Sequence, residues 1–240
     1  MDLSIVIPAY NESQKIQLDI QTAAEFLQKE GLSGEIIVVD DGSTDHTEKK
    51  AQTTPLPKDI ILQVIHTEEN RGKGHAIRSG MIKTQGDYCM FADSGYCVPY
   101  ENVQAGLSMI QNGECEIAHG SRKMQGCHII KKQNLYRRMC SGMFHWMVIY
   151  AMNISREYTD TQCGFKVYRG DIARNLYSQC IIDGFMFDIE TIVRAEKMGY
   201  RIREFPVEWT NDRDSRLSPV RSFRSVLKEL IAIKQTMANE

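Results

Sequence analysis

Two apolar runs rich in β-branched residues, each followed at once by polar residues, constrain the fold of this 240-residue chain more than any other feature. The runs occupy residues 3–7 and 35–39, and the polar side chains that follow them include Tyr10, Glu12, Asp40 and Asp41. An unbroken apolar run is typical of a strand buried on both faces of a parallel sheet. Open α/β sheets bind ligands outside the carboxyl ends of their strands. We therefore expect these four side chains to converge on one crevice, where a carboxylate suits a nucleobase edge or a ribose hydroxyl.

Strands and helices alternate through the rest of the first half. The pattern predicts further strands at 60–66, 87–92 and 115–119, and helices at 13–30, 45–52, about 70–84 and 100–111. Ser43 and Asp45 are interpreted as turn and helix-capping residues. This alternation predicts an α/β fold with a mostly parallel open sheet and helices on both faces.

Composition narrows the class of protein. Hydrophobic residues make up 42% of the chain, which is enough to fill a core. The formal charge of -2 gives no indication of a nucleic-acid-binding protein. Seven cysteines without a CxxC pair suggest reduced thiols rather than a zinc site or a disulfide framework. No leader-like segment precedes the first strand, and no apolar run reaches the roughly 18 residues of a spanning helix. We expect a cytoplasmic protein, with attachment to a membrane surface left open.

Basic residues lead into an apolar stretch in the second half. Lys131, Lys132, Arg137 and Arg138 precede residues 143–152, which include Trp146 and Tyr150. A stretch of this length is usually a buried helix, but it is also long enough to lie in a bilayer interface.

Three acids, Asp160, Asp188 and Glu190, fall in segments rich in Phe, Gly and Cys. Burial of an unpaired acid is costly, so we expect partners among Lys166, Arg194 and Arg122. A functional role is favoured for Asp160. For Asp188 and Glu190 a salt-bridged helix start and a direct role are equally supported.

The last residues form an amphipathic helix pattern. Its apolar positions favour one face and are Phe223, Val226, Leu227, Leu230, Ile231 and Ile233. Three uses are open: packing on the domain, a subunit interface, or a membrane-surface foot. We predict one domain over 1–220 and a C-terminal helix over 221–240.

Residues 6–12 and 38–45 together resemble the signature of family 2 inverting glycosyltransferases, which have the GT-A fold. The resemblance implies that the two strand ends hold the base and ribose of a nucleotide-sugar. It also places the glycine-rich Asn70–Gly74 segment, at a helix N-terminus suited to anions, next to the nucleotide. The implied donor-binding residues are Pro8, Tyr10, Glu12, Asp40, Asp41, Gly72, Lys73 and Asp93.

Asp93 stands where this family has a DxD element, whose two acids hold Mg²⁺ or Mn²⁺ against the diphosphate. Here Gly95 replaces the second acid. Either one carboxylate suffices with the diphosphate and water, or the register shifts and Glu101 helps, or metal binding is weak. Asp93 is the implied metal ligand, and the metal itself stays open.

Residues 159–166, 184–190 and 204–218 resemble the subgroup that makes polyprenyl-phosphate sugars, in particular dolichyl-phosphate β-glucosyltransferases. The resemblance implies inverting transfer from UDP-glucose, or from GDP-mannose, to a lipid phosphate at a membrane surface. The implied acceptor-phosphate cations are Arg122, Arg137, Arg138 and Arg216. Asp93 and Lys73 would stabilise the leaving diphosphate, and Asp160 would be the base if the acceptor were a hydroxyl.

Two other functions stay open on the sequence. One is a soluble glycosyltransferase with a hydroxyl acceptor, and the other is a lapsed enzyme that only binds a nucleotide-sugar or a partner. The oligomeric state is open, and a homo-oligomer is possible. A dehydrogenase is disfavoured because no GxGxxG follows the first strand.

Overall fold

The computed structural model describes residues 1–129, 142, 146–210 and 219–239. The strands are β1 (Leu3–Ala9), β2 (Gly34–Asp40), β3 (Ile60–His66), β4 (Tyr88–Ala92), β5 (Ile117–Ser121), β6 (His128–Ile129), β7 (Phe165–Arg169), β8 (Ile202–Pro206) and β9 (Glu208–Trp209). The helices are α1 (Ile16–Lys29), α2 (Thr47–Gln52), α3 (Lys73–Met81), α4 (Val103–Gln111), α5 (146–152), α6 (Gly170–Gln179), α7 (Phe187–Lys197) and α8 (Pro219–Asn239).

Seven strands form one twisted sheet in the order β3-β2-β1-β4-β7-β5-β8. Only β7 runs antiparallel to its neighbours β4 and β5, so the predicted mostly parallel sheet is confirmed. The carboxyl ends of β1, β2 and β4 therefore lie along one edge, as the ordering of parallel strands requires. A separate parallel pair, β6 with β9, adds a two-stranded ribbon.

Helices cover both faces of the sheet, and the alternation of side chains along β1 shows why. Leu3, Ile5 and Ile7 belong to a core cluster shared with α1 and α4. Val6 points the opposite way, into a second cluster shared with α3, α6, α7 and α8. Because successive strand residues face opposite sides, one apolar strand serves two cores.

Several predicted boundaries shift for local reasons. The helix predicted from residue 13 begins at Ile16, because Glu12 to Lys15 form a hydrogen-bonded turn first. The helix predicted from Asp45 begins at Thr47, whose N–H donates to the Asp45 carboxylate at 2.9 Å. Asp45 is thus a capping residue, as its position before the helix predicted.

α8 packs one apolar row and leaves another outside. Val226, Leu230 and Ile233 are buried in the second core cluster. Leu227 and Ile231, predicted on the same face, are exposed instead. The side chain of Phe223 lies outside the described residues. The predicted boundary at residue 220 between domain and helix stays a prediction.

Candidate active site

Side-chain hydrogen bonds join the ends of β1 and β2, as the two polar clusters predicted. Asn11, in a left-handed conformation, donates its backbone N–H to Ser43 Oγ at 2.8 Å. The backbone N–H of Glu12 donates to Thr47 Oγ1 at 2.8 Å. Pro8 is buried two residues beyond Val6, where the β1–β4 pairing stops, so β4 needs no N–H from it. Tyr10 and Glu12, which follow β1, are partly exposed.

Asp40 ends β2 and is fully buried among donors. His66 Nδ1 lies 2.9 Å from its Oδ2, and Ser43 Oγ donates to its Oδ1. Glu48 approaches the same imidazole at 3.5 Å, so Asp40, Glu48 and His66 form a group that could hold a metal ion. The hydrogen bond to Asp40 raises the pKa of His66. A metal needs neutral imidazole, so we interpret this group as an ion-paired network that orients Asp40.

Asp41 holds the backbone that leads into α3. Its carboxylate accepts the backbone N–H groups of Arg71 at 3.2 Å and Gly72 at 2.7 Å. Two donors near the start of α3, where an anion was expected, are thus used by Asp41. A Cβ on Gly72 would meet the Asp183 carbonyl oxygen at 2.5 Å, and one on Gly74 would meet that of Ile182 at the same distance. The two glycines serve close packing against 182–184.

Asp93 follows β4 and pairs with Lys73, the first residue of α3, whose Nζ lies 2.6 Å from Asp93 Oδ1. Burial alone would lower the pKa of Lys73, but Asp93 and Asp188 outweigh it and raise the pKa. A Cβ on Gly164 would lie 2.1 Å from the Asp93 carboxyl carbon. Gly164 also accepts the Asp93 N–H at 3.0 Å. The antiparallel strand β7 thus positions the carboxylate at the end of β4.

Arg122 follows β5 and forms a two-pronged ion pair with Asp160. Its Nε lies 2.6 Å from Asp160 Oδ2 and its Nη2 lies 2.8 Å from Oδ1. Burial would raise the pKa of Asp160, but Arg122 outweighs it and lowers the pKa. Glu204 of β8 accepts the Asp160 N–H at 2.8 Å, and the Arg122 guanidinium lies over the Trp209 ring. Within the ion pair, Arg122 is partly exposed and Asp160 is buried.

The other two acids also find the predicted cations. Asp188 pairs with the fully buried Lys166, whose Nζ also donates to the Thr161 carbonyl at 3.1 Å. Burial raises the pKa of Asp188 even though Lys166 opposes the change. Glu190 pairs with Arg194 at 3.1 Å and accepts the N–H groups of residues 181 and 182. Both acids are salt-bridged at the start of α7.

Asp19 of α1 is a residue that sequence reasoning missed. It is buried, and its carboxylate accepts the Gly95 N–H at 2.9 Å. Gly95 and Tyr96 both have left-handed backbone conformations, with φ of 93° and 48°. Burial raises the pKa of Asp19 to about 6, assisted by Glu12 and opposed by hydrogen bonds from Gly95 and Tyr96. An acid on the apolar face of α1 was the available signal. Its carboxylate lies under the residue that replaces the second DxD acid.

Lys73, Asp93 and Arg122 form the open end of one charged network. Each is partly exposed, and Arg122 is close enough to influence the pKa of Lys73. Lys166, Asp188 and Asp160 lie buried behind them. Two partly exposed cations beside one carboxylate can bind two anions in adjacent positions. The predicted cations Lys131, Lys132, Arg137, Arg138 and Arg216 lie outside the described residues.

The fold and this site define a sugar-transferring enzyme of the GT-A type. Residues 4–176 match the family model described as glycosyl transferase family 2. The chain therefore belongs to glycosyl transferase family 2, and it is a glycosyltransferase.

Curated relatives cover almost the whole chain. A dolichyl-phosphate beta-glucosyltransferase from Homo sapiens is 31% identical over 97% of this chain and 74% of its own length. The Dictyostelium discoideum protein of the same name is 29% identical over 97% of this chain and 73% of its own length. Glycosyltransferase AglD from Haloferax volcanii is 25% identical over 96% of this chain but only 36% of its own length.

Solved structures support the fold. Glucosyl-3-phosphoglycerate synthase from Mycobacterium tuberculosis, crystallised with Mn²⁺ and UDP-glucose, superposes with a TM-score of 0.71 at 18% identity. The match covers 97% of this chain and 78% of that one. A complex of the same enzyme with Mg²⁺ and UDP gives 0.68 at 18% identity, over 98% of this chain and 78% of that one. Within the described residues, no helix is both long and apolar enough to cross a membrane.

Proposed function

We propose that this enzyme transfers glucose from UDP-glucose to a polyprenyl phosphate of the dolichyl type, with inversion at the sugar carbon. The observation that carries the proposal is the group of Lys73, Asp93 and Arg122, which are partly exposed and offer two cations at the carboxyl edge of the sheet. The shared name of the relatives from Homo sapiens and Dictyostelium discoideum supports the sugar and the lipid phosphate.

The donor is assigned to the β1, β2 and β4 ends. Asp40 would act from beneath, since its fully buried carboxylate is held by His66 and Ser43. Tyr10 and Glu12 are the partly exposed side chains on the donor side. Asp41 would act indirectly, since its carboxylate holds the backbone of Arg71 and Gly72. Lys73 would then exchange part of its pairing with Asp93 for the diphosphate and stabilise the charge that develops as the bond to the sugar breaks.

The acceptor is assigned to Arg122. A guanidinium has five N–H donors, and the pair with Asp160 uses two of them. The remaining donors suit a phosphate oxygen. A phosphate monoester is already an anion at neutral pH, since its second pKa is about 6, so its attack on the sugar carbon needs no strong base. Asp160, with a lowered pKa and both oxygens on Arg122, is better suited to position Arg122 than to remove a proton.

A divalent metal fits this site through Asp93. Its carboxylate is partly exposed, and hard oxygen ligands suit Mg²⁺ or Mn²⁺. Asp188 and Asp160, the neighbouring acids, are buried as well as paired with Lys166 and Arg122, whereas Asp93 is open to solvent on one side. Asp93 would therefore be the protein ligand, with diphosphate and water completing the shell. When bound, the metal would offset charge on the leaving diphosphate.

We place the reaction at the cytoplasmic face of a membrane. A lipid phosphate presents its head at a bilayer surface, and the free thiols of the described cysteines suit a reducing compartment.

The test is transfer of labelled glucose from UDP-glucose to a short-chain polyprenyl phosphate, with Mg²⁺, Mn²⁺ or EDTA. We expect an organic-extractable product that depends on metal. Asp93→Asn should reduce turnover by about 10²-fold or more, since it removes the metal ligand and the Lys73 partner. Arg201→Ala, which removes an exposed ion pair with Glu116, is the matched control.

Turnover of a sugar hydroxyl instead of a lipid phosphate would contradict the acceptor assignment. Nucleotide binding without transfer to any acceptor, from UDP-glucose or GDP-mannose, would favour the lapsed enzyme. Full activity in EDTA would contradict the proposed requirement for a divalent metal.

A further inference from the structure

α8 carries apolar side chains on two sides, and only one side is packed against the protein. Val226, Leu230 and Ile233 are buried. Leu227 and Ile231, one position further along each turn, are 48% and 47% exposed. A helix that is only packed on a domain needs one apolar row. The second row has no use within the described part of the fold.

α5 extends this outer apolar row. Trp146 is 65% exposed, Tyr150 is 80% exposed, and Met147 lies beside them. Met147 borders the same shallow groove as Leu227 and Ile231, so the two helices form one surface. We refer to the surface made by Trp146, Met147, Tyr150, Leu227 and Ile231 as the α5–α8 face. Contiguous exposed apolar groups of this kind mark interaction sites.

The exposed charged side chains described on α8 are all of one sign. They are Arg224, Lys228 and Lys234. Glu229 is turned towards the protein, where its carboxylate accepts the Met186 N–H at 2.9 Å. The chain as a whole carries a formal charge of -2, so this basic character is local. An anionic partner is thereby favoured.

We propose that the α5–α8 face docks on an anionic lipid bilayer, and this rests on the proposed function at a lipid phosphate. Exposed Trp and Tyr suit headgroup depth, Leu227 and Ile231 suit the acyl boundary, and Lys and Arg reach back to lipid phosphates. A second copy of this chain would bring Arg224, Lys228 and Lys234 against one another, which disfavours a symmetric dimer through this face.

The docked face is also close to the donor-side loop. Glu229 holds the backbone of Met186, and residues 182–184 pack against Gly72 and Gly74 beside Lys73. With a bilayer on its outer side, α8 would therefore lie between the membrane and the segment that supports the site. This placement suits an acceptor whose phosphate sits at the membrane surface.

Vesicle binding tests the proposal. The full chain is mixed with vesicles of phosphatidylcholine alone or with phosphatidylglycerol added, and bound protein is measured by sedimentation. We expect binding to the anionic vesicles that weakens with salt. Leu227→Glu with Ile231→Glu should lower the partition coefficient at least about tenfold. Leu18→Glu with Ile61→Glu, at exposed apolar positions of α1 and β3, is the matched control and should bind as wild type.

Tryptophan fluorescence gives a second readout, since the chain has only Trp146 and Trp209. Trp209 is buried, so a blue shift on vesicle addition should disappear in Trp146→Phe.

Transfer to a short-chain acceptor in solution separates the two proposals. The Leu227/Ile231 variant should retain turnover there. Equal vesicle binding by this variant and wild type would overturn the docking face and leave the proposed function standing. The docking face would also be overturned if light scattering showed that wild type is a dimer, that the variant is a monomer, and that neither protein binds vesicles. Wild type that binds vesicles but glucosylates no lipid phosphate would overturn the proposed function instead.

Discussion

Arg122 shows how one side chain at the site is restricted by three neighbours. Asp160 holds two of its nitrogens, Trp209 covers the face of the guanidinium, and Glu204 fixes the backbone of Asp160. The cation is therefore held in one orientation before any acceptor binds. Pre-organised donors avoid the entropy loss of ordering a long side chain on binding.

This orientation leads to a prediction at the residue scale. Arg122→Lys keeps a charge beside the buried Asp160 but loses the planar fork, so we expect the KM for the lipid phosphate to rise by about tenfold or more. Donor affinity should change less than about threefold, because Arg122 is assigned to the acceptor. Steady-state kinetics with separate titration of UDP-glucose binding measures both. Equal loss of donor and acceptor binding would contradict the assignment.

At the scale of elements, the antiparallel strand β7 is the feature that completes the site. It lies between β4 and β5 and joins two halves whose other strands run parallel. Phe165 pairs with Ala92, which brings Gly164 against Asp93. The buried Lys166, one residue further into the strand, reaches Asp188 of α7. One short strand thus connects the donor side, the acceptor side and α7.

Gly164→Ala tests this connection. The new Cβ would meet the Asp93 carboxyl carbon at 2.1 Å, so Asp93 has to move. A displacement of about 1 Å at a reacting group can cost about 10²-fold in kcat, and we expect a loss of that order. Gly106→Ala crowds Phe205 in the core at 2.8 Å and is the control. It should lower the melting temperature but keep activity per folded molecule. A normal kcat for Gly164→Ala would contradict the inference that turnover depends on the position of Asp93 beside Gly164.

At the scale of the whole molecule, Asp19 links the pH dependence of stability to the loop of the site. The folded chain keeps a proton on Asp19 up to about pH 6, whereas the unfolded chain loses it near the ordinary aspartate pKa of 3.8. Between these values the folded state binds more protons. The contribution of Asp19 to the free energy of unfolding is therefore largest below about pH 4 and falls as the pH rises to about 6.

Asp19→Asn should remove this decline. The free energy of unfolding at pH 7 should equal or exceed that of wild type, by at most about 3 kcal/mol, because a neutral amide needs no desolvation of charge. Asp19→Leu should be less stable, since the Gly95 N–H then loses its acceptor. Denaturant unfolding from pH 4 to 7 measures this, with the exposed Asp59→Asn as control. A decline that persists in Asp19→Asn would contradict the explanation.

The sequence by itself determined which strands are followed by polar side chains, namely Tyr10, Glu12, Asp40 and Asp93. It also determined that cations are available to pair with Asp160, Asp188 and Glu190. Local periodicity and the cost of burying charge are encoded in short segments, which is why these features were predictable. Only the tertiary structure decided which cation met which acid and that Asp41 holds the backbone before α3. It also decided that Gly164 supports Asp93 and that Asp19 reaches Gly95. These contacts join residues far apart in the chain, and their partners depend on β7 inserting antiparallel between β4 and β5. The amphipathic pattern of α8 likewise indicated a helix. Packing against the rest of the fold divided its apolar residues between a buried row and an exposed row. The sequence could not predict this division, because the helical period does not specify which neighbouring element covers each side of the helix.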